Sequence, residues 1–250
     1  NIPSFYPSNY RNHLQFGRTG FYSQLKKIQL QFMARDIEGF SKNKYSKILE
    51  IGCGSGLLLL MLQQRGFRYL RGTDISNASE MFLSEKGIVF RKANIEKEFP
   101  YKERFDLIIL NHVIEHLFDP VFVLSQCKQH LATDGKVIVI TPNSNSIVFD
   151  LFKKYCDGIN APRHLFVFSP KSMENLRKKL IYNKLVFYPV LDPMQWAISL
   201  QNVFQNISFL RTRLKKGLAW YTVFLGVLFI PISLITRFGR KSASMMCVLE

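Results

Sequence analysis

Two groups of residues in this chain have types and spacings that can do chemistry. The first is Gly52-x-Gly54-x-Gly56, three glycines at alternate positions. They follow the apolar run Ile48-Leu49-Glu50-Ile51 and precede a helix-forming run, Leu57 to Gln64. Glycines there permit positive φ and let a ligand approach the backbone. Free N–H groups at the helix start favour a polar or anionic ligand group. Asp74 closes a second apolar run, Tyr69 to Thr73, where a carboxylate can accept both hydroxyls of a ribose. The second group is rich in histidine: Asn111-His112, Glu115-His116 and, further on, Arg163-His164. Imidazole is suited to taking a proton near neutral pH, and guanidinium to pairing with phosphate or carboxylate.

The glycine spacing decides between nucleosides. A dinucleotide fingerprint is G-x-G-x-x-G, and here the third glycine comes one residue early. No G-x-x-x-x-G-K-[ST] is present, so there is no P-loop. Glu50, just before the turn, would repel a pyrophosphate and attract an ammonium or sulfonium. That combination fits S-adenosylmethionine (SAM). Leu49-Glu50-Ile51-Gly52-Cys53-Gly54-Ser55-Gly56 resembles the first motif of class I SAM-dependent methyltransferases. The blocks Phe105 to Asn143 and Ala161-Pro162-Arg163-His164-Leu165-Phe166-Val167-Phe168-Ser169-Pro170 resemble one subgroup, the ubiquinone-type O-methyltransferases and their relatives in surface-polysaccharide and lipid-linked pathways. The resemblance covers about residues 5–191 and the last strand.

The resemblance implies a cofactor set of Glu50, Gly52, Cys53, Gly54, Gly56, Asp74, Ile75, Asn94, Ile95 and Asn111. Family members often carry an acid at the position of Asn94, which recognises the adenine amino group; an Asn can still accept that bond through its amide oxygen. Catalytic candidates are His112, His116 and His164. His112 is expected to border the methyl group, as a base or substrate contact, or else to orient its loop. His116 has capping or packing as its alternative. Arg163 and His164 are expected on a lip over the substrate, with Arg163 pairing with a phosphate or carboxylate, or the two forming a structural clasp. Tyr10 and Arg18 are further candidates for the cofactor's carboxylate. Some ubiquinone-type relatives place metal-binding acids around this Glu-His pair. Here His112 stands three before Glu115, so no metal is expected.

These residues need a parallel sheet to gather them. Strands are predicted over 47–51, 68–73, 88–91, 105–110, 136–140, 185–191 and 245–249. Helices are predicted over 20–40, 57–65, 77–86 (with Ser76 as N-cap), 121–131 (after Asp119-Pro120) and from Ser169-Pro170 to about 181. Phe105 to Leu110 is a continuous apolar run, as in a strand buried on both faces. The fold class is α/β: a Rossmann-like, seven-stranded, mostly parallel sheet with helices on both faces and a hydrophobic helical insertion before the last strand. Ligands of such sheets bind at the carboxyl ends of the strands. The division expected is a cap segment at 1–40, a SAM-binding domain at 41–191, an insertion at 192–244 and a final strand at 245–250.

At 250 residues and 47% hydrophobic the chain can bury a full core. Its four cysteines (Cys53, Cys127, Cys156, Cys247) are scattered and read as reduced thiols. Asn1 to Arg18 is polar and aromatic, and no secretory leader is expected. The net charge is +16. Residues 201–250 hold seven basic residues (Arg211, Arg213, Lys215, Lys216, Arg237, Arg240, Lys241) and one acid, Glu250. They bracket Gly217 to Thr236, twenty residues without a charge. Three readings stay open for that run: interfacial membrane attachment, a true span, or a buried or dimer-forming helix pair. Strand four lacks the Asn/Asp-Pro-Pro-aromatic ending used on flipped bases, so nucleic acid is not the expected partner. The expected activity is O-methylation of a lipid-linked or membrane-bound small acceptor, at the cytoplasmic face of a membrane, with peripheral contact through 211–241 and an oligomer as an open option. The alternatives are a soluble sugar or nucleotide-sugar acceptor, and a non-catalytic SAM-fold docking protein.

Overall fold

The strand side chains alternate between two apolar surfaces, and this alternation builds the molecule. The computed structural model describes residues 21–206, 220–238 and 241–250. Its strands are β1 (Lys47–Ile51), β2 (Tyr69–Asp74), β3 (Val89–Lys92), β4 (Phe105–Asn111), β5 (Leu131–Pro142), β6 (Leu185–Val190) and β7 (Ser244–Leu249). They form one sheet in the order β3-β2-β1-β4-β5-β7-β6. All pairings are parallel except those of β7, which runs antiparallel to both β5 and β6.

Because successive strand side chains point to opposite faces, each strand feeds two cores. Ile48, Leu107, Ile109, Ile138 and Ile140 face one core with helices α1 (Phe21–Glu38), α2 (Leu57–Gln64) and α3 (Glu80–Glu85). Leu49, Ile51, Ile108, Leu110, Val137 and Val139 face the other, with α4 (Pro120–Gln129) and α6 (Pro170–Lys179). A third cluster lies beyond the carboxyl end of β5. There α5 (Ile147–Phe152) and α7 (Pro193–Asn206) meet around Trp196. Two short helices, α8 (Trp220–Leu228) and α9 (Ile230–Phe238), precede β7.

Chain order reverses at β1 and β4: β1 leads outward to β2 and β3, β4 leads the other way. The carboxyl ends Ile51, Asp74, Asn111 and Pro142 therefore share one edge, with a crevice at the reversal. The N-caps expected at Asp119 and Ser169 are in place, each accepting a backbone N–H three residues on.

Four expectations change. The third helix starts at Glu80, not Asn77. Ser76 accepts from Ala78 N–H and donates its own N–H to Asp74, so the polar side chains make a turn instead of a cap. β5 starts at Leu131 because the end of α4 passes straight into the ladder opposite Phe105. The described part of the expected cap segment is a layer of the domain: α1 buries Leu30, Met33, Ala34 and Ile37 against α2. No described helix is long and apolar enough to cross a membrane, so the described residues give the span reading no support. Tyr10 and Arg18 lie outside the described residues, as do Arg211, Arg213, Lys215, Lys216 and Arg240.

The central strand should carry the fold. Ile109→Ala removes a fully buried side chain from the core under α1 and α2 and should cost about 2–5 kcal/mol in urea unfolding. Met81→Ala, on the exposed face of α3, should stay within about 0.5 kcal/mol.

Candidate active site

The glycine turn takes the conformation its sequence permits. Gly52, Gly54 and Gly56 all have positive φ, at 66°, 52° and 73°. A Cβ on Gly52 would lie 2.5 Å from Val113 Cγ2, and one on Gly56 2.5 Å from Leu83 Cδ2. The first of these contacts sets the glycine turn directly against the histidine turn. Asp74 locks the glycine turn from the side: Oδ2 accepts Gly54 N–H at 2.9 Å and Oδ1 accepts Ser76 N–H at 2.9 Å.

Glu50 is 2% exposed, and its Oε2 has no partner among the described residues. Burial, then the neighbouring Asp74 charge, pushes its carboxyl well above the ordinary range. Asn111 Oδ1, at the end of β4, is also buried without a partner. Unpartnered buried oxygens carry a desolvation cost that a donor-bearing ligand removes.

The histidine turn follows at once. His112 has φ +53°, a left-handed conformation that non-glycine residues adopt at a cost of about 1–3 kcal/mol. Its backbone N–H still donates to Ile140 O at 2.9 Å. Its Nδ1 lies 3.2 Å from Glu115 Oε1, and Thr141 Oγ1 donates to Glu115 Oε2 at 3.1 Å. Glu115 is 1% exposed while the His112 side chain is 41% accessible, so the pair joins a buried acid to an accessible imidazole. Burial alone would raise the Glu115 carboxyl, but the His112 bond and charge hold it below the usual range. Burial alone would lower His112; the bond to Glu115, its charge, and then Asp192 and Asp157 outweigh that and raise it. An ionised Glu115 accepts, so Nδ1 of His112 donates and Nε2 is left as the basic atom.

His116 and His164 stand beside this pair with ring centroids 4.8 Å apart. His116 Nδ1 donates to Arg163 O at 2.9 Å, and His164 Nδ1 to Gly158 O at 2.8 Å. The Glu115 carbonyl accepts the N–H groups of Leu165 and Phe166. The loop with Arg163 and His164 is thereby stitched onto the turn that bears Glu115 and His116. Burial lowers His164 and keeps it neutral. Glu115, His116 and His164 each bring a possible ligand atom within 4.8 Å of the others. Both Glu115 oxygens already have partners in His112 and Thr141.

A family model described as a methyltransferase domain matches residues 25–180, more than half of the chain. The chain belongs to the class I SAM-dependent methyltransferases. A ubiquinone biosynthesis O-methyltransferase of Neisseria meningitidis serogroup C is 27% identical over 57% of this chain, and the match spans 60% of that protein's length. One from Histophilus somni is 23% identical over 79% of this chain and 80% of its own. A SAM-dependent methyltransferase structure from Archaeoglobus fulgidus has TM-score 0.58 and 19% identity, covering 89% of this chain and 93% of that one. A Thermotoga maritima structure described as a possible histamine N-methyltransferase has TM-score 0.57 and 15% identity over 90% and 89%. At these identities the two structures show a common fold.

For this methyltransferase the cofactor is SAM, and the crevice residues fit it. The glycine turn offers backbone without side chains, Glu50 offers an unpartnered acid for an ammonium, and Asp74 keeps further lone pairs for hydroxyls. Ile75 is 54% exposed beyond β2, whereas Ile95 is 8% exposed and packs into the second core. Asn94 Oδ1 already accepts Glu96 N–H at 3.0 Å, so only its second lone pair is left for an adenine. Cys53 is 6% exposed and lies beneath the turn against Gly72; burial raises its thiol, and it serves the site through its backbone.

The structure brings His112, His116 and His164 together. Arg163 supplies its carbonyl to His116, and His164 gives its Nδ1–H to Gly158, bonds that tie the loop to the turn. Sequence reasoning gave no part to Glu115, although a carboxylate three residues after His112 on a tight turn was a usable signal. It also gave none to Thr141, which carries no local signal.

The buried acid generates a test. A carboxyl raised in the folded state favours folding as pH falls from its folded value toward its unfolded one, and opposes folding above that. Glu50→Gln should therefore raise the melting temperature at pH 7–8. It should also weaken S-adenosylhomocysteine binding about tenfold or more by calorimetry, because the ammonium loses its charged partner.

Proposed function

We propose that this methyltransferase transfers a methyl group to a hydroxyl oxygen of a small acceptor that is lipid-linked or held at a membrane surface. The His112–Glu115 pair carries the reading. Bound SAM supplies an electrophilic methyl on a sulfonium. Glu50, Asp74, Asn111 and the glycine turn hold it. His112 Nε2 takes the proton of the acceptor hydroxyl as the oxygen becomes the nucleophile, and Glu115 stabilises the imidazolium formed. Thr141 and the strained turn fix the ring so that its free nitrogen faces the accessible side. His116 and His164 shape the acceptor side of the recess. An in-line displacement of this kind needs alignment and a dry pocket, not a metal. The relatives named as ubiquinone biosynthesis O-methyltransferases support an oxygen nucleophile.

The acid limb of the pH profile tests the base. The rate should rise with pH through the His112 value, which the bond to Glu115 and its charge hold above the ordinary imidazole range. Glu115→Gln removes the two largest effects that raise it, so the limb should move to lower pH while the plateau falls. His112→Asn should lower kcat about 100-fold or more with S-adenosylhomocysteine affinity retained. Enzyme treated with EDTA should keep its turnover; loss of turnover, restored by a divalent ion, would assign a metal to Glu115, His116 and His164.

The membrane part of the proposal rests on two helices with inverted polarity. On α8 and α9, Thr222, Ser233 and Thr236 are buried while Phe224, Leu228 and Ile235 are 68%, 63% and 70% exposed. Gly226 faces Met194 of α7, where a Cβ would lie 2.6 Å from its sulfur. Nearby α5 exposes Leu151 at 63%, followed by the exposed Lys153 and Lys154. A soluble surface seldom shows apolar residues in this density unless something covers them. Each helix has nine residues, roughly 14 Å, against about 30 Å of hydrocarbon. They suit a lipid boundary layer with the flanking Arg and Lys on anionic head groups at the cytoplasmic face. The full chain should float with anionic liposomes and less with neutral ones. Phe224→Ser/Leu228→Ser/Ile235→Ser should abolish flotation without loss of S-adenosylhomocysteine binding. If the wild type does not float, the acceptor is soluble.

A further inference from the structure

On the α4–α6 side of the sheet the histidine turn leads into an open groove of about 410 Å³, a volume in the range of small-molecule sites. Its walls come from two stretches. One is Phe118 to Val121, which runs from the turn of Glu115 and His116 into the start of α4. The other is Phe166 with one face of α6, where Ser172, Asn175, Leu176 and Lys179 recur at helical spacing. That stripe runs roughly 10 Å along the helix.

The groove begins at the histidines. Phe118 stands two residues after His116, and Phe166 two after His164. The His116 and His164 rings are 4.8 Å apart, and the Glu115 carbonyl accepts Leu165 N–H at 2.8 Å and Phe166 N–H at 3.2 Å. The carboxylate of the same residue holds His112. Glu115 thus fixes the base through its side chain and the Phe166 wall through its backbone.

The backbone around the groove is held at every turn. Glu96 Oε1 accepts the N–H groups of Phe118 and Asp119, at 2.7 and 2.9 Å. Phe168 bridges to Asn143, and its carbonyl accepts Ser144 N–H at 2.8 Å. On this pinned frame the aromatic side chains divide. Phe168 is 5% exposed and packs in the second core, whereas Phe166, its ring 6.0 Å from that of Phe168, is 41% exposed and Phe118 is 60% exposed. The polar side chains at the near end, Asp119 and Ser172, are spent on the caps of α4 and α6. What remains for a ligand there is apolar. An apolar groove held open beside a polar reacting centre suits a molecule with a hydroxyl at one end and hydrocarbon at the other.

We propose that Phe118 and Phe166 set acceptor specificity, as walls of an apolar subsite that takes the hydrocarbon part of the acceptor while its hydroxyl meets His112. This rests on the proposed methyl transfer and adds where the rest of the acceptor lies. Burial of the hydrocarbon supplies binding energy remote from the reacting atoms and aligns the hydroxyl. Glu96 is a positioning residue: it holds the Phe118 turn, while its own N–H donates to Asn94 Oδ1 on the cofactor side.

The experiment is calorimetric titration of 4-ethylphenol, 4-butylphenol and 4-hexylphenol into the full chain loaded with S-adenosylhomocysteine. Each added methylene should tighten binding about twofold, because the groove is open on one side and full burial would give about fourfold. Phe118→Ser/Phe166→Ser should flatten the series. Asn175→Trp, at an exposed position of α6 on the groove, should remove the advantage of hexyl over ethyl by filling the space. Phe224→Ser/Leu228→Ser/Ile235→Ser should leave the series unchanged. The inference is overturned if the wild-type series is flat, if no phenol binds at millimolar concentration, if the slope survives in either groove variant, or if the α8–α9 variant removes it. The same series on the chain without S-adenosylhomocysteine reads the groove by itself, so failure of S-adenosylhomocysteine to bind would overturn the proposed methyl transfer and not the groove.

Discussion

The site depends on one ionised carboxylate held out of water. Glu115 has no access to solvent, yet its two oxygens and its carbonyl reach three separate parts of the chain. Oε1 meets His112 at the end of β4, Oε2 meets Thr141 at the end of β5, and the carbonyl meets Leu165 and Phe166 on the following loop. In a low-dielectric interior such bonds are strong when complete and costly when broken. One residue therefore couples sheet, turn and loop, and explains why His112 tolerates a left-handed backbone. It also sets the electrical state of the recess, raising one imidazole while burial lowers its neighbour.

The cofactor side is built on the opposite logic. Glu50 and Asn111 each hold a buried oxygen with no partner among the described residues, and Asp74 spends one oxygen on the glycine turn and the other on Ser76 N–H. Stability is withheld at positions that a ligand with donors and positive charge can satisfy. The two halves touch where Gly52 meets Val113, so the histidine turn packs directly on the glycine turn. A side chain on Gly52 would push them apart.

Helix α7 joins this chemistry to the exposed apolar surface. Its N-terminus is bonded by Asp192, its Trp196 fills the third cluster with Phe152 and Phe229, and its middle supports α8 through Gln201 and Thr222. The helices that show Phe224 and Ile235 outward are thus fixed to the same element that holds the loop of Asp157 and Gly158 through Ser199.

The sequence by itself determined the sheet, the cofactor and the reaction class. Those properties are written in local patterns: continuous apolar strands, glycines at alternate positions before a helix, an acid at the end of the second strand. Helix starts were legible where a side chain caps the backbone, as at Asp119 and Ser169. They were not legible at Ser76, where a competing turn used the same group. Only the tertiary structure decided what the histidines do. The tautomer of His116 is set by Arg163, 47 positions along the chain, and that of His164 by Gly158, on a loop that Ser199 of α7 binds. Charge and proton position depend on distance in space, and a linear pattern holds only the distances that secondary structure fixes.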